Sequence, residues 1–508
     1  MVPSKPKIRG KTMNKGKFFV RFIVVIMSAF LILTGCSAKQ SSTASKGDSN
    51  GKGDPYQLTL AYLAFTKIDD LPLVQDEINK ITKKKINATV KLVPINGSAW
   101  SQQSNLMLTG NEKLDLIVSS SFFGYNTSAV KGQYQPLDDL IKKYGKGILE
   151  AVPKNLLDGD RVNGKLYAVP SARDWGVDYG FVMRKDIVDK YHIDLSQVKS
   201  FADLEKVFKV VKEKEPTMAP IVNTGGLTTT SILNGGKYDV LGDSLGVMSF
   251  KEKKFINMFE DQDYLDSIKL TRKWFKDGYV LKDAATSQEA AANIVKAGKG
   301  FGYFSHMKPG FEVQEQGITG HEMVAVRFTD VYAYTDSATA FGLSIARNSQ
   351  NPEKAMELMN LLYTDKDIMN LLDNGIEGKH YVVKSDGTIK LPDGVKDSKY
   401  VFGQWEIGNN FLTYPWEGNP SNYWEIFKKH NDSAIYSPAF GFTFNPNPVK
   451  TEIAAATNVI NQYKIGIESG TLDPNKSVPE FNKKLKQAGL EKIIAEKQKQ
   501  YDKWKENK

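Results

Sequence analysis

The chain has 508 residues, 41% of them hydrophobic and 11% aromatic, and a formal charge of +10. That length and apolar content suffice for two or three packed domains and exclude a disordered or fibrous protein. Seven of the basic residues and no acid lie in the first 35 positions, which leaves +3 for the rest; the basic balance is largely a property of that leader and points to no nucleic-acid partner.

Lys5, Lys7, Arg9, Lys11, Lys15, Lys17 and Arg21 come first, and an uncharged run, Phe22 to Leu33, follows. The run is short for a bilayer span and has the order of a secretory signal. It closes on Leu33-Thr34-Gly35-Cys36, which resembles a bacterial lipobox, and Cys36 is the only cysteine. Residues 1–35 are expected to be a lipoprotein signal peptide, with the thiol of Cys36 carrying a diacylglycerol. The chain would then sit on the extracellular face of the cytoplasmic membrane, anchored by lipid, as on a Gram-positive surface. One acylated cysteine also excludes disulfides and cysteine-based metal sites.

Residues 36–55 are rich in Ser, Gly and Lys and read as a flexible tether. From Tyr56 on, strand-like and helix-like runs alternate. Gln57–Leu63 is a strand, Leu73–Lys84 a helix with apolar residues at 74, 78 and 81, and Ala88–Ile95 a strand. Trp100–Leu108 is a helix and Leu114–Val118 a buried strand. This order predicts an α/β fold with a largely parallel sheet, whose ligands bind at the carboxyl ends of the strands. Those ends are Ala64–Thr66, Asn96–Ser98 and Ser119–Phe123. Ser200-Phe-Ala-Asp203 is a capping box for a helix with Leu204, Val207, Phe208 and Val211 on its apolar stripe. Asn351–Leu362 is an amphipathic helix with Pro352 in its first turn. Val478–Trp504 is helical and rich in Lys and Glu.

Asn163-Gly-Lys-Leu-Tyr-Ala-Val-Pro170, Arg184-Lys-Asp186 and the Phe201–Leu204 helix start together resemble the family 1 solute-binding proteins of carbohydrate ABC importers. Asp373–Tyr381, the hairpin around Ser385–Thr388, Gly470–Pro474 and Leu485–Leu490 are similar to a Gram-positive lipoprotein subgroup with an extra C-terminal region of no assigned activity. The resemblance implies a two-lobed periplasmic-binding-protein-like fold, class II type, with a helical C-terminal extension. It also implies a receptor, not an enzyme, that binds a saccharide, an oligosaccharide, between its lobes as a monomer and delivers it to permease subunits without a cofactor. The expected division is 56–172 plus 295–335 for the N-terminal lobe and 173–294 plus 336–450 for the C-terminal lobe. Residues 451–508 form the extension, packed on one lobe. Ser171–Asp174 and Thr335–Ala338 are the expected hinges. A surface carbohydrate-active enzyme, an adhesive lipoprotein, and a receptor for a peptide or other polar solute are the alternatives.

Sugar recognition uses flat aromatic faces and planar polar groups. On that ground the candidate ligand contacts are Trp175 with Asp174, Asp178 and Tyr179 beside it, and Phe65, Asn96, Trp100 and Ser120 on the strand-end rim. Tyr303 and His306 on a strand tip, and Trp416, complete the set. Catalytic signatures are missing: the histidines at 192, 306, 321, 380 and 430 have no metal-ligand spacing, and no G-x-S-x-G elbow or phosphate loop occurs. No metal site is expected.

Overall fold

The computed structural model describes residues 53–64, 68–110, 112–224, 227–396 and 398–506. In chain order, the strands of its two large sheets are β1 (Tyr56–Ala64), β2 (Ala88–Asn96), β3 (Leu116–Ser119) and β4 (Val169–Pro170) in the first lobe. β5 (Asp178–Arg184), β6 (Ala219–Ile221), β7 (Gly300–Met307) and β8 (Met323–Arg327) lie in the second, and β9 (Gly342–Ile345) returns to the first. The helices used below are α1 (Leu71–Ile86), α2 (Pro352–Thr364), α3 (Tyr423–Asp432), α4 (Lys450–Glu468), α5 (Pro474–Gln487) and α6 (Leu490–Glu506).

The first sheet runs β2-β1-β3-β9-β4. β1 pairs in parallel with β2, from Tyr56 opposite Ala88 to Ala64 opposite Asn96. β9 is the antiparallel member, with Gly342 opposite both Ser119 of β3 and Pro170 of β4. The carboxyl ends of β1 to β4 therefore share one edge with the beginning of β9. On α1, Val74 and Ile78 are buried and Ile81 is half-buried against this sheet. Met356, Met359 and Leu362 of α2 join the same core, each such side chain contributing about 1.5–3 kcal/mol by leaving water.

The second sheet runs β8-β5-β7-β6. The capping box at Ser200 forms: the Ser200 amide donates to the Asp203 carboxylate at 2.9 Å and the Asp203 amide to the Ser200 hydroxyl at 3.4 Å. The stripe Leu204, Val207, Phe208 and Val211 is buried on this sheet. Trp274 stacks on Phe304 beside it, ring centroids 5.6 Å apart and planes within 10°.

Two expectations about the lobes are corrected. Residues 295–335 do not join the first lobe, because β7 and β8 both pair antiparallel with β5. The stretch after 336 returns to the first lobe, because β9 pairs with β3 and α2 packs in its core. An apolar strand pattern states that a face is buried, not against which sheet. The helices α4 to α6 pack with Tyr238–Ile268 in a core of their own, which includes Phe259, Phe481, Leu485 and Ile493.

Candidate ligand-binding cleft

The rim of the first lobe is built where its strands end. β2 stops at Asn96, whose side-chain oxygen accepts from the Ser98 amide at 3.0 Å. Past β3, the Ser120 hydroxyl accepts from the Phe122 amide at 3.1 Å, and the tight turn Ser121–Phe123 leaves Phe122 66% exposed. Phe341 immediately precedes β9 on the same edge. Its ring lies 5.8 Å from Phe122 and meets Trp405 edge to face at 4.5 Å. Three aromatic side chains remote in sequence thus line one rim.

The chain crosses between the lobes after β4 and after β8, and the segments around 409 and 431–437 pair with these crossings. Val177 and Tyr332 exchange backbone hydrogen bonds at 2.9 and 2.8 Å. The Ala172 amide donates to the Gly408 carbonyl at 2.8 Å, and the Ser171 amide to Phe341 at 3.0 Å. Asn431 is buried and ties the first crossing: its Nδ2 donates to the Arg173 carbonyl at 2.9 Å and its Oδ1 accepts from the Gly176 amide at 3.2 Å. A Cβ on Gly176 would lie 2.6 Å from Val331 and 3.3 Å from Ala434, so three segments meet where only glycine fits.

Beside the crossings is a pocket of 410 Å³ whose lining includes Arg173, Asp174, Lys308, Trp405, Trp416 and Trp424. Asp174 pairs with Arg173 at 2.6 Å and with Lys308 at 3.1 Å. Burial pushes its carboxyl up, but these two cations outweigh it and hold it below the usual carboxylate range. Indole faces and cationic donors form a set suited to hydroxylated rings.

A second pocket, of 230 Å³, is lined by Tyr179, His306, Tyr334, Asp336 and, from the C-terminal region, Lys464 and Glu468. His306 is the exposed residue of β7; partial desolvation of its ring lowers its basicity, and Asp174 opposes that effect from the neighbouring pocket. Asp336 is exposed at the pocket, where partial desolvation of its carboxyl, with Asp239 next, raises it to about 6.

The sequence candidates separate accordingly. Asp174 and Trp416 line the larger pocket, and Tyr179 and His306 the smaller. Asn96 and Ser120 are on the rim but serve as caps. Trp175, expected as a ligand contact, is only 6% exposed and packs in the first lobe's core, 6.2 Å from Phe411. Tyr303 is likewise core: it points to the opposite face of its strand from His306 and hydrogen-bonds Glu315. Trp100 is buried, its indole 6.0 Å from Phe123. Asp178 is buried, and both its carboxylate oxygens accept from Nη1 of Arg327 at 2.9 and 3.0 Å. Phe65 and Cys36 lie outside the described residues. Phe341 on the rim, Arg173 and Lys308 in the larger pocket, and Tyr334 and Asp336 in the smaller were not among the sequence candidates. Phe341 carried a usable signal, an aromatic directly before a strand, once β9 is known to run antiparallel. Among the described residues no group of three or more His, Cys, Asp or Glu side chains is placed to hold a metal, and no helix is long and apolar enough to cross a membrane.

Two α/β lobes joined by paired crossings, with a polar-aromatic rim at the strand ends, define a two-lobed solute-binding protein. Residues 69–369 match the bacterial extracellular solute-binding protein family, and the chain belongs to it. Residues 438–506 match a domain of unknown function, DUF3502. The chain is 29% identical to a carbohydrate ABC transporter substrate-binding protein of Streptococcus pneumoniae serotype 4, over 97% of this chain and 100% of that one. It is 22% identical to lipoprotein LipO of Bacillus subtilis, over 77% of this chain and 76% of that one. The crystal structure of the N-glycan transport solute binding protein NgtS of S. pneumoniae, at 29% identity, covers 89% of this chain and 99% of that chain with a TM-score of 0.81. The same protein in complex with Man5GlcNAc matches at 0.69, over the same shares of both chains.

Proposed function

We propose that this protein is a lipid-anchored extracellular receptor that binds an oligosaccharide between its two lobes and delivers it to the permease subunits of an ABC importer. The observation that carries the reading is the run Phe122, Phe341, Trp405, with Trp416 lining the same pocket as Trp405. Aromatic faces bind the apolar face of a pyranose, while Arg173 and Lys308 serve its hydroxyls. The family and the NgtS relative, solved with Man1GlcNAc and Man5GlcNAc, support a saccharide over a peptide.

The mechanism is closure about the crossings. A ligand that touches both lobes binds the closed form more tightly and shifts the population toward it. The protein works as a monomer without a cofactor and leaves the sugar intact. The lipobox at Leu33–Cys36 supplies the membrane anchor.

Thermal unfolding of the purified chain with a panel of oligosaccharides tests this. A ligand at about 100 times its Kd stabilises by about 2.7 kcal/mol. One responder recovered chemically unchanged is the expected result. A panel without effect, or a sugar cleaved by the protein, overturns the reading.

A further inference from the structure

Besides the apolar core it shares with Tyr238–Ile268, the C-terminal region is tied to the second lobe by a buried carboxylate at the pocket. Glu468, 1% exposed at the end of α4, accepts from the Thr228 hydroxyl at 2.7 Å, Tyr264 at 3.3 Å and Lys464 at 2.9 Å. The Thr230 hydroxyl adds a bond to the Glu468 carbonyl at 2.9 Å. This end of α4 is therefore a fixed wall of the 230 Å³ pocket.

The opposite wall is fixed as firmly. The Tyr334 hydroxyl accepts from the Gly236 amide at 2.9 Å. The Asp239 carboxylate accepts from both the amide and the hydroxyl of Thr335 at 2.9 Å. Tyr179 lies flat against the backbone at Gly235, where a Cβ would come within 2.2 Å of its ring. His306 lines this pocket and Lys308, two residues further along the chain, lines the larger one, so the end of β7 borders both.

The lining selects by chemistry. Tyr179 and Tyr334 offer ring surface. Asp239 and Glu468 are buried and engaged by Thr335, Thr228, Tyr264 and Lys464, so the exposed Asp336 is the carboxylate placed to accept from hydroxyls, and the acidic surplus repels a carboxylate. Its volume falls below the ~300 Å³ at which pockets for drug-sized ligands begin, so it fits one ring and not a chain.

We propose that the C-terminal region of unknown function builds a subsite here, with Tyr179, Tyr334 and Asp336, for a single uncharged sugar ring at the far end of an oligosaccharide held in the main cleft. The inference rests on the saccharide reading above and assigns the C-terminal region a part in ligand length selection.

Calorimetric titration of the full chain with Man1GlcNAc and Man5GlcNAc tests it. Val240, 39% exposed at the pocket, can take Val240→Trp without disturbing the core; Asp336→Asn keeps the shape and removes the charge. Both variants are expected to lose about tenfold in affinity for Man5GlcNAc, near 1.4 kcal/mol, and to stay within about twofold for Man1GlcNAc. If Val240→Trp unfolds early, Asp336→Asn decides. Unchanged affinity for both sugars, or an equal loss for both, overturns the subsite and leaves the receptor standing. A native chain that binds neither sugar while another saccharide of the panel stabilises it overturns the subsite for these glycans and leaves the receptor standing; silence across the whole panel overturns the saccharide reading on which the subsite depends.

Discussion

Glu406 accepts a hydrogen bond from the Leu63 amide at 2.8 Å, a buried contact across 343 positions that fixes Trp405 beside the end of β1. The other oxygen of Glu406 has no partner, nor do both oxygens of Asp373 and the Tyr62 hydroxyl. Burial raises the Glu406 carboxyl to about 9. The carboxyl of Asp373 is raised well above its usual range by burial and then by Glu406. The rim is thus mounted on a carboxylic acid that stays protonated at neutral pH.

That sets a pH dependence of stability. From the ordinary carboxyl range up to about 9, the folded chain keeps a proton at Glu406 that the unfolded chain releases. The unfolded state then binds fewer protons, so the contribution of this group to stability falls as pH rises through that window. Glu406→Gln keeps the carbonyl that Leu63 needs and removes the ionisation. It should raise stability by about 1–3 kcal/mol near pH 8, with a gain that shrinks toward pH 5. Urea unfolding of both proteins from pH 5 to 9 measures it, and a gain independent of pH would refute the assignment.

The tryptophans give a contrast between affinity and folding. Trp405 is half-buried on the rim, whereas Trp175 lies in the core. Trp405→Ala should cost about tenfold or more in saccharide affinity and leave the melting temperature within a few degrees. Trp175→Ala should cost about 3–5 kcal/mol in stability. Titration and thermal melting of the same two variants separate the roles; a stable Trp175→Ala protein with lost affinity would return Trp175 to the site.

Why the sequence misled at Trp175 and Tyr303 is physical. Local sequence located the tip of β7 and the hinge stretch after β4, because a short apolar run and its polar end are encoded within one segment. They did not reveal which side of a crossing an aromatic faces. Trp175 stands beside Asp174, which does line the pocket, yet the backbone turns its indole inward. Tyr303 and His306 differ by three positions on one strand and therefore face opposite sides. Phe341 and Trp405 become neighbours only through the return of β9 to the first sheet, a long-range pairing that no local pattern carries.

The crossings yield the last prediction. Asn431 satisfies the Gly176 amide and the Arg173 carbonyl at once, and Gly176 sits where Val331 and Ala434 leave no room for a methyl group. Asn431→Ala leaves two buried backbone groups without partners, at about 1–3 kcal/mol each. Gly176→Ala forces Val331 aside and should push the crossing strands apart. If these contacts serve only folding, both variants lose stability while bound and free forms keep their difference in shape. If they guide closure, the change in radius of gyration on adding a saccharide should shrink in Gly176→Ala, and affinity should fall through a faster off-rate with little change in on-rate. The second outcome is the one expected, because the hydrogen bonds run between the very segments that join the lobes. Small-angle scattering with and without sugar, combined with stopped-flow tryptophan fluorescence, reads both; an unaltered closure amplitude in Gly176→Ala would remove this residue from the hinge.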